Sequence, residues 1–225
     1  MNRSTSSHLR VLPLLLLACL LVSPVAGAPA QWESSIAAFE AQDRASAPAP
    51  GGVVFVGSST IALWKTLAAD FPHHHVINRG FGGSELADSV YFAGRIVIPY
   101  RPCMVILFAG TNDIEDGKTP QEIFAAFQAF EEKVQAALPG VAIGYIEITS
   151  SPSRWKSRET VLAANRLIQD FCATRKNLKF IPVRGKLLGA DGLPRKELFV
   201  ADQLHLNAEG YRILADAVRP FLPAP

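Results

Sequence analysis

The feature that most constrains this chain is an alternation: short, continuous apolar runs keep giving way to segments with helical spacing. Val53-Val54-Phe55-Val56 contains no polar residue, and neither does Met104 to Phe108. A strand that is apolar at every position is buried on both faces, as a parallel strand is between two helical layers. His75–Asn78, Val141–Ile148 and Phe180–Val183 read as three further strands. Between them, residues 60–70, 85–98 and 157–174 read as helices, and a last helix follows Asn207. The helix after Thr119 is the best delimited. Thr119 can cap it, Pro120 suits its first turn, and Glu122 falls three residues after the cap. Ile123, Phe127, Phe130 and Val134 then recur at helical spacing until Pro139-Gly140. Such alternation predicts an α/β protein: a three-layer α/β/α sandwich around a five-stranded parallel sheet. The 225 residues, 49% of them hydrophobic, suit one domain of this kind.

The N-terminus does not share the pattern. Arg3 and Arg10 precede an apolar run from Val11 to Val22, and small residues follow through Ala30. This is the layout of a secretory signal peptide. Pro29 is a poor new terminus, so cleavage is expected after Ala30, with export to the periplasm or the extracellular space. A lipid anchor at Cys19 is the weaker alternative, because apolar residues continue beyond it. No later run reaches the about 18 apolar residues of a membrane span. Without residues 1–30 the chain keeps 20 basic and 20 acidic residues. It is then formally neutral, and nucleic acid or an anionic membrane gains no support as a partner. Residues 31–45 read as a helix with Trp32, Ile36 and Phe39 on one side, and residues 45–52, rich in Ala, Pro and Gly, as a linker. Cys103 and Cys172 read as small core residues; export would permit them to pair, but their spacing does not decide it.

The polar residues that could carry chemistry fall after the strands. Gly57-Ser58-Ser59-Thr60 follows the first, Asn78-Arg79-Gly80-Phe81-Gly82-Gly83 the second and Gly110-Thr111-Asn112-Asp113 the third. Asp202-Gln203-Leu204-His205 comes near the end. In a parallel α/β sheet, ligands sit beyond the C-terminal ends of the strands, so these segments are expected on one rim. Serine becomes a nucleophile when a neutral His takes its proton and a carboxylate holds that His in the right tautomer. Asp202 and His205 are three residues apart, so a single turn can join them. Backbone N–H groups and an Asn amide can then bind an oxyanion. Gly83 and Asn112 offer such donors, alongside the N–H of Ser59. Taken singly, each residue has a plainer use: Ser58 and Ser59 as helix caps, Asn112 and Asp113 as a turn.

Together these segments resemble the SGNH, or GDSL-like, hydrolase family of lipase/acylhydrolase type. Its nucleophile block is similar to Gly57-Ser58-Ser59-Thr60, with Ser58 standing where the family carries Asp. Its glycine, G-x-N-D and D-x-x-H blocks resemble residues 78–84, 110–113 and 202–205, in the family's order. The resemblance implies the flavodoxin-like SGNH fold over residues 53–225. It implies Ser59, Asp202 and His205 as catalytic residues, and Ser59, Gly83 and Asn112 as the oxyanion hole. It implies a serine esterase that uses neither metal nor organic cofactor, which the N-terminal layout would make a secreted one. An acyltransferase, a carbohydrate O-deacetylase and a catalytically silent carbohydrate-binding module are the rival readings.

The expected partner is a small-molecule ester, such as an acetylated carbohydrate. Arg79 and Trp155 are candidates for substrate binding, against the plainer roles of loop brace and packed Trp. His73-His74-His75 cannot all face one metal ion on an extended segment. The longest stretch without clear structure, residues 184–206, carries Arg184, Lys186, Arg195 and Lys196, and its Leu193, Leu198 and Phe199 are too few to hold a fatty chain. A shallow, polar-rimmed site for acetyl-type esters is therefore expected.

Overall fold

A computed structural model describes residues 29–224. The expected signal peptide, residues 1–30, falls almost wholly outside the described residues, and Cys19 falls outside them entirely. Five strands form one parallel sheet: β1 (Val53–Gly57), β2 (Val76–Gly80), β3 (Met104–Phe108), β4 (Ala142–Ile146) and β5 (Leu178–Ile181), in the order β2-β1-β3-β4-β5. The order reverses between β1 and β3, the point at which doubly wound sheets of this type bind ligands.

Successive side chains of a strand point to opposite faces, and the two faces build separate cores. Val54, Val56, Val105, Leu107, Ile143 and Tyr145 face one way. They meet α1 (Glu33–Ala45), α4 (Leu86–Ile96), α6 (Pro120–Ala137) and α7 (Arg158–Ala173) through Ile36, Phe92, Phe127 and Ile168. Val53, Phe55, Met104, Ile106 and Phe108 face the other way, onto α2 (Ser59–Ala62), α3 (Leu67–Asp70) and α8 (Ala208–Val218). The sheet is covered on both sides, as its uninterrupted apolar strands require.

The capping residues act as their types predict. The Thr119 hydroxyl accepts from the Glu122 N–H, and the Glu122 carboxylate accepts from the Thr119 N–H. Asn207 accepts from the N–H groups of Glu209 and Gly210 at the start of α8. Among the described residues no helix is long and apolar enough to cross a membrane.

Several expectations are corrected. The single helix over residues 60–70 is two four-residue turns of helix, α2 and α3. Trp64 separates them. Its ring is buried among Phe55, Phe71 and Tyr211, and its indole N–H donates to Asp70 at 2.7 Å, so packing overrides helical continuity. The fifth strand begins two residues earlier than expected. It is an edge strand whose middle residues, Lys179 and Phe180, are not fully buried, so its apolar run is not continuous. Cys103 is exposed and only Cys172 is a core residue; both are free thiols. Residues 184–206 carry two short 3-10 turns and two isolated bridges, Leu188 with Pro194 and Phe199 with Leu206.

Candidate active site

The parallel register sets Gly57 beside both Gly80 and Phe108, so the segments leaving β1, β2 and β3 emerge together. Gly57 has φ +142, and a Cβ on it would sit 1.9 Å from the Phe108 carbonyl oxygen. Only glycine lets β1 pass so close to β3 and turn straight into α2. Ser58 is buried, and its hydroxyl has no partner among the described residues. Ser59, one residue on, is turned outward.

His205 Nε2 lies 3.0 Å from Ser59 Oγ, and His205 Nδ1 lies 2.6 Å from Asp202 Oδ2. The other Asp202 oxygen accepts from the N–H groups of Leu204 and His205 at 2.8 and 3.0 Å. Those backbone donors, that of His205 first, together with the imidazole, hold the carboxyl down to about 2, so it is ionised at any ordinary pH. The turn that allows this passes through Gln203 in the left-handed region, at φ +56. Val200 and His205 close it through a 2.9 Å backbone hydrogen bond.

The candidate oxyanion donors lie on the segments after β1, β2 and β3. A Cβ on Gly82 would lie 3.8 Å from Ser59 Cβ, so the glycine loop runs directly past the serine. Gly83 is left-handed at φ +82, and a Cβ there would meet the Trp32 ring at 2.9 Å. The N–H groups of Ser59 and Gly83 donate to no protein acceptor among the described residues. Asn112, in α5 (Thr111–Glu115), donates one amide hydrogen to the Ser84 carbonyl at 2.9 Å, and the second has no acceptor among the described residues. The neighbouring Asp113 is fully buried. Both its oxygens face the Leu86 N–H at the start of α4, and Lys118 lies 3.8 Å away. Burial raises its carboxyl to about 6, against these hydrogen-bonding and charge effects. Asp113 thus ties the Asn112 segment to the end of the glycine loop without reaching the cleft.

Ser59, Thr60, Phe108, Thr111, Thr149, Ser151, Arg154, Leu204 and His205 line a cleft of about 330 Å³, part of it open to solvent. Arg154 was not anticipated. Its 3-10 turn, Pro152–Ser157, follows β4 and carries no capping or periodic signal that singles it out. Nη1 donates to Asn112 Oδ1 at 2.9 Å and to the Thr111 carbonyl at 3.2 Å. In the same segment, the Ser153 N–H donates to the Gln203 carbonyl at 3.0 Å. One short loop therefore touches both the Asn112 side and the His205 side of the cleft.

The two substrate-binding candidates are corrected. Arg79 is buried away from the cleft. It donates to Asp43 at 2.5 Å, to the Tyr100 hydroxyl at 2.7 Å and to the Asn78 carbonyl, with Phe39 and Tyr100 rings against its guanidinium. It fastens α1 to the sheet. Trp155 does not line the cleft; its ring packs under the Arg158 guanidinium.

The family model for the GDSL-like Lipase/Acylhydrolase family matches residues 56–213. Comparison with curated proteins gives no match. Among solved structures, a Streptococcus pneumonia protein provisionally described as a platelet activating factor is 20% identical, with a TM-score of 0.76 over 87% of this chain and 94% of that one. A GDSL-like lipase from Bacteroides thetaiotaomicron is 18% identical, with a TM-score of 0.72 over 84% and 97%. A variant of an acetyl-xylooligosaccharide esterase from Geobacillus Stearmophilus is 17% identical, with a TM-score of 0.62 over 79% and 97%. At these identities the likeness is one of fold.

Proposed function

The chain belongs to the GDSL-like lipase/acylhydrolase family, and from that premise we propose that it is an exported serine esterase that cleaves small, acetyl-type esters through an acyl-enzyme. The observation that carries this reading is the unbroken hydrogen-bonded relay from Ser59 through His205 to Asp202. His205 Nε2 takes the Ser59 proton as Oγ adds to the ester carbonyl. The carbonyl oxygen becomes an oxyanion and draws on the N–H groups of Ser59 and Gly83 and the free amide hydrogen of Asn112. His205 returns the proton to the leaving alcohol, and the acyl group stays on Ser59. Water then adds to the acyl carbonyl, giving its proton to His205. The acid leaves as Ser59 recovers its proton. Asp202, ionised throughout, holds the imidazole and stabilises its charged form.

The cleft supports a small acyl group. It is shallow, and Phe108 and Leu204 are the only large apolar residues that line it. The hydroxyls of Thr60, Thr111, Thr149 and Ser151 give the rim a polar character that suits an acetylated carbohydrate. The fold shared with an acetyl-xylooligosaccharide esterase favours the same substrate class.

The test is hydrolysis of p-nitrophenyl esters from acetate to palmitate, with fluorophosphonate labelling of the intact protein. The expected result is the highest kcat/KM for acetate and a label on Ser59. A higher value for palmitate would point to a lipase, and absence of label would point to a binding module. Export rests on the sequence of residues 1–30. A mature terminus near Gln31 is expected on N-terminal sequencing; retention of Met1, or a lipid on Cys19, would overturn it.

A further inference from the structure

The amide of Asn112 can serve an oxyanion only if Nδ2, and not Oδ1, faces the reacting carbonyl. The two atoms exchange places by rotation about one side-chain bond, so something must choose between them. Two neighbours do. The Ser84 carbonyl accepts from Nδ2 at 2.9 Å, and Arg154 Nη1 donates to Oδ1 at 2.9 Å. The rotated amide would set Oδ1 against a carbonyl oxygen and an NH₂ against a guanidinium.

Resting on the reading of Asn112 as an oxyanion donor, we propose that Arg154 is a positioning residue for the reaction: it locks the Asn112 amide in its donating orientation and strengthens the remaining N–H as a donor. The second effect follows from charge. A cation bonded to an amide oxygen draws electron density from the amide, so that its N–H groups become better donors. Arg154 is itself held for this task. The same Nη1 reaches the Thr111 carbonyl at 3.2 Å, and Nε faces the Glu115 carboxylate at 3.8 Å. Three-quarters of its side-chain surface is covered, which limits screening of the contact by water.

The planar, always charged guanidinium suits a contact shared between two acceptors better than a flexible ammonium does. The site's two oxyanion contributions therefore come from different parts of the chain: donors on the segments after β1, β2 and β3, and the residue that orients one of them on the segment after β4.

The experiment is a double-mutant cycle on Arg154→Met and Asn112→Ala, read by steady-state kinetics on p-nitrophenyl acetate and by thermal unfolding. Arg154→Met is expected to lower kcat about tenfold with KM and the unfolding midpoint little changed. In the Asn112→Ala background it should cost nothing further, because no amide remains to orient. A cycle with Arg154→Lys runs in parallel, so the answer does not depend on the folding of the Met variant. Lys keeps a donor for Oδ1 and should retain more of kcat. A raised KM with kcat intact would make Arg154 a substrate contact, and full additivity with Asn112→Ala would make it independent of the amide; either result overturns the proposal. An unimpaired Asn112→Ala enzyme would instead overturn the oxyanion role of Asn112, which is a separate failure.

Discussion

Replacing Asp113 by Asn should change how stability depends on pH. Asp113 is fully buried, and burial raises its carboxyl from 3.8 to about 6. A folded-state value above the unfolded one means that the folded protein prefers the neutral acid. The associated stability is present in full below the unfolded value of 3.8, and is lost as pH rises through about 6. The gap between the two values corresponds to about 3 kcal/mol. Asparagine has nearly the same shape, keeps an oxygen for the Leu86 N–H, and does not titrate. It adds an offset that does not vary with pH, while the carboxyl's titration disappears. The parent's unfolding free energy minus the variant's should therefore fall by about 3 kcal/mol across the acid range, most of it between about pH 4 and pH 6.5. Every other carboxylate is common to both proteins and cancels. Urea unfolding at a series of pH values, followed by tryptophan fluorescence, measures the difference directly. A difference that stays flat, or that rises with pH, would refute the reasoning. The latter would mean that Lys118 and the Leu86 N–H hold Asp113 ionised against its burial.

Four further outcomes are expected. Ser59→Ala should abolish ester hydrolysis, while Ser58→Ala should keep at least about a tenth of kcat/KM, because Ser58 Oγ is buried beside the relay and outside it; a dead Ser58→Ala variant with correct folding would move the nucleophile by one position. His205→Ala should lose more activity than Asp202→Ala, since one removes the base and the other only its orientation; equal losses in kcat would show that the carboxylate does more than orient. Arg79→Met should lower stability by about 3 kcal/mol by leaving the Asp43 carboxylate without its cation, with KM unaltered, as read by urea unfolding and kinetics; a changed KM with full stability would return Arg79 to the substrate. Incubation with EDTA should leave activity intact, and loss restored by zinc would show that a metal takes part.

Much of this architecture is legible in the order of the residues, for a physical reason. A strand buried on both faces must be apolar throughout, so Val53–Val56 and Met104–Phe108 announce a parallel sheet. A parallel sheet then collects whatever follows its strands on one rim. That is why Ser59, Gly83 and Asn112 could be read as neighbours, and why the three-residue spacing of Asp202 and His205 could be read as one turn. What was not legible depends on contacts between distant segments. Trp64 breaks a helix because Phe55, Phe71 and Tyr211 surround it. Arg79 lies next to the glycine loop in sequence, yet turns to Asp43, 36 residues upstream. Arg154 matters through Asn112, 42 residues away, while its neighbour Trp155, the more conspicuous residue type, packs elsewhere.

The bond between Ser59 and His205 joins residues 146 positions apart, one leaving the first strand and the other lying beyond the last. Closing a loop that long costs chain entropy, which contacts elsewhere in the domain offset. On the proposed mechanism, hydrolytic competence therefore requires the chain to be folded from β1 through residue 205. A growing polypeptide has Ser59, the glycine loop and Asn112 long before it has His205. On the proposed mechanism, no fragment ending before residue 205 should hydrolyse esters. Activity in this protein thus reports on the intact fold, and a substrate assay also counts how many molecules have finished folding.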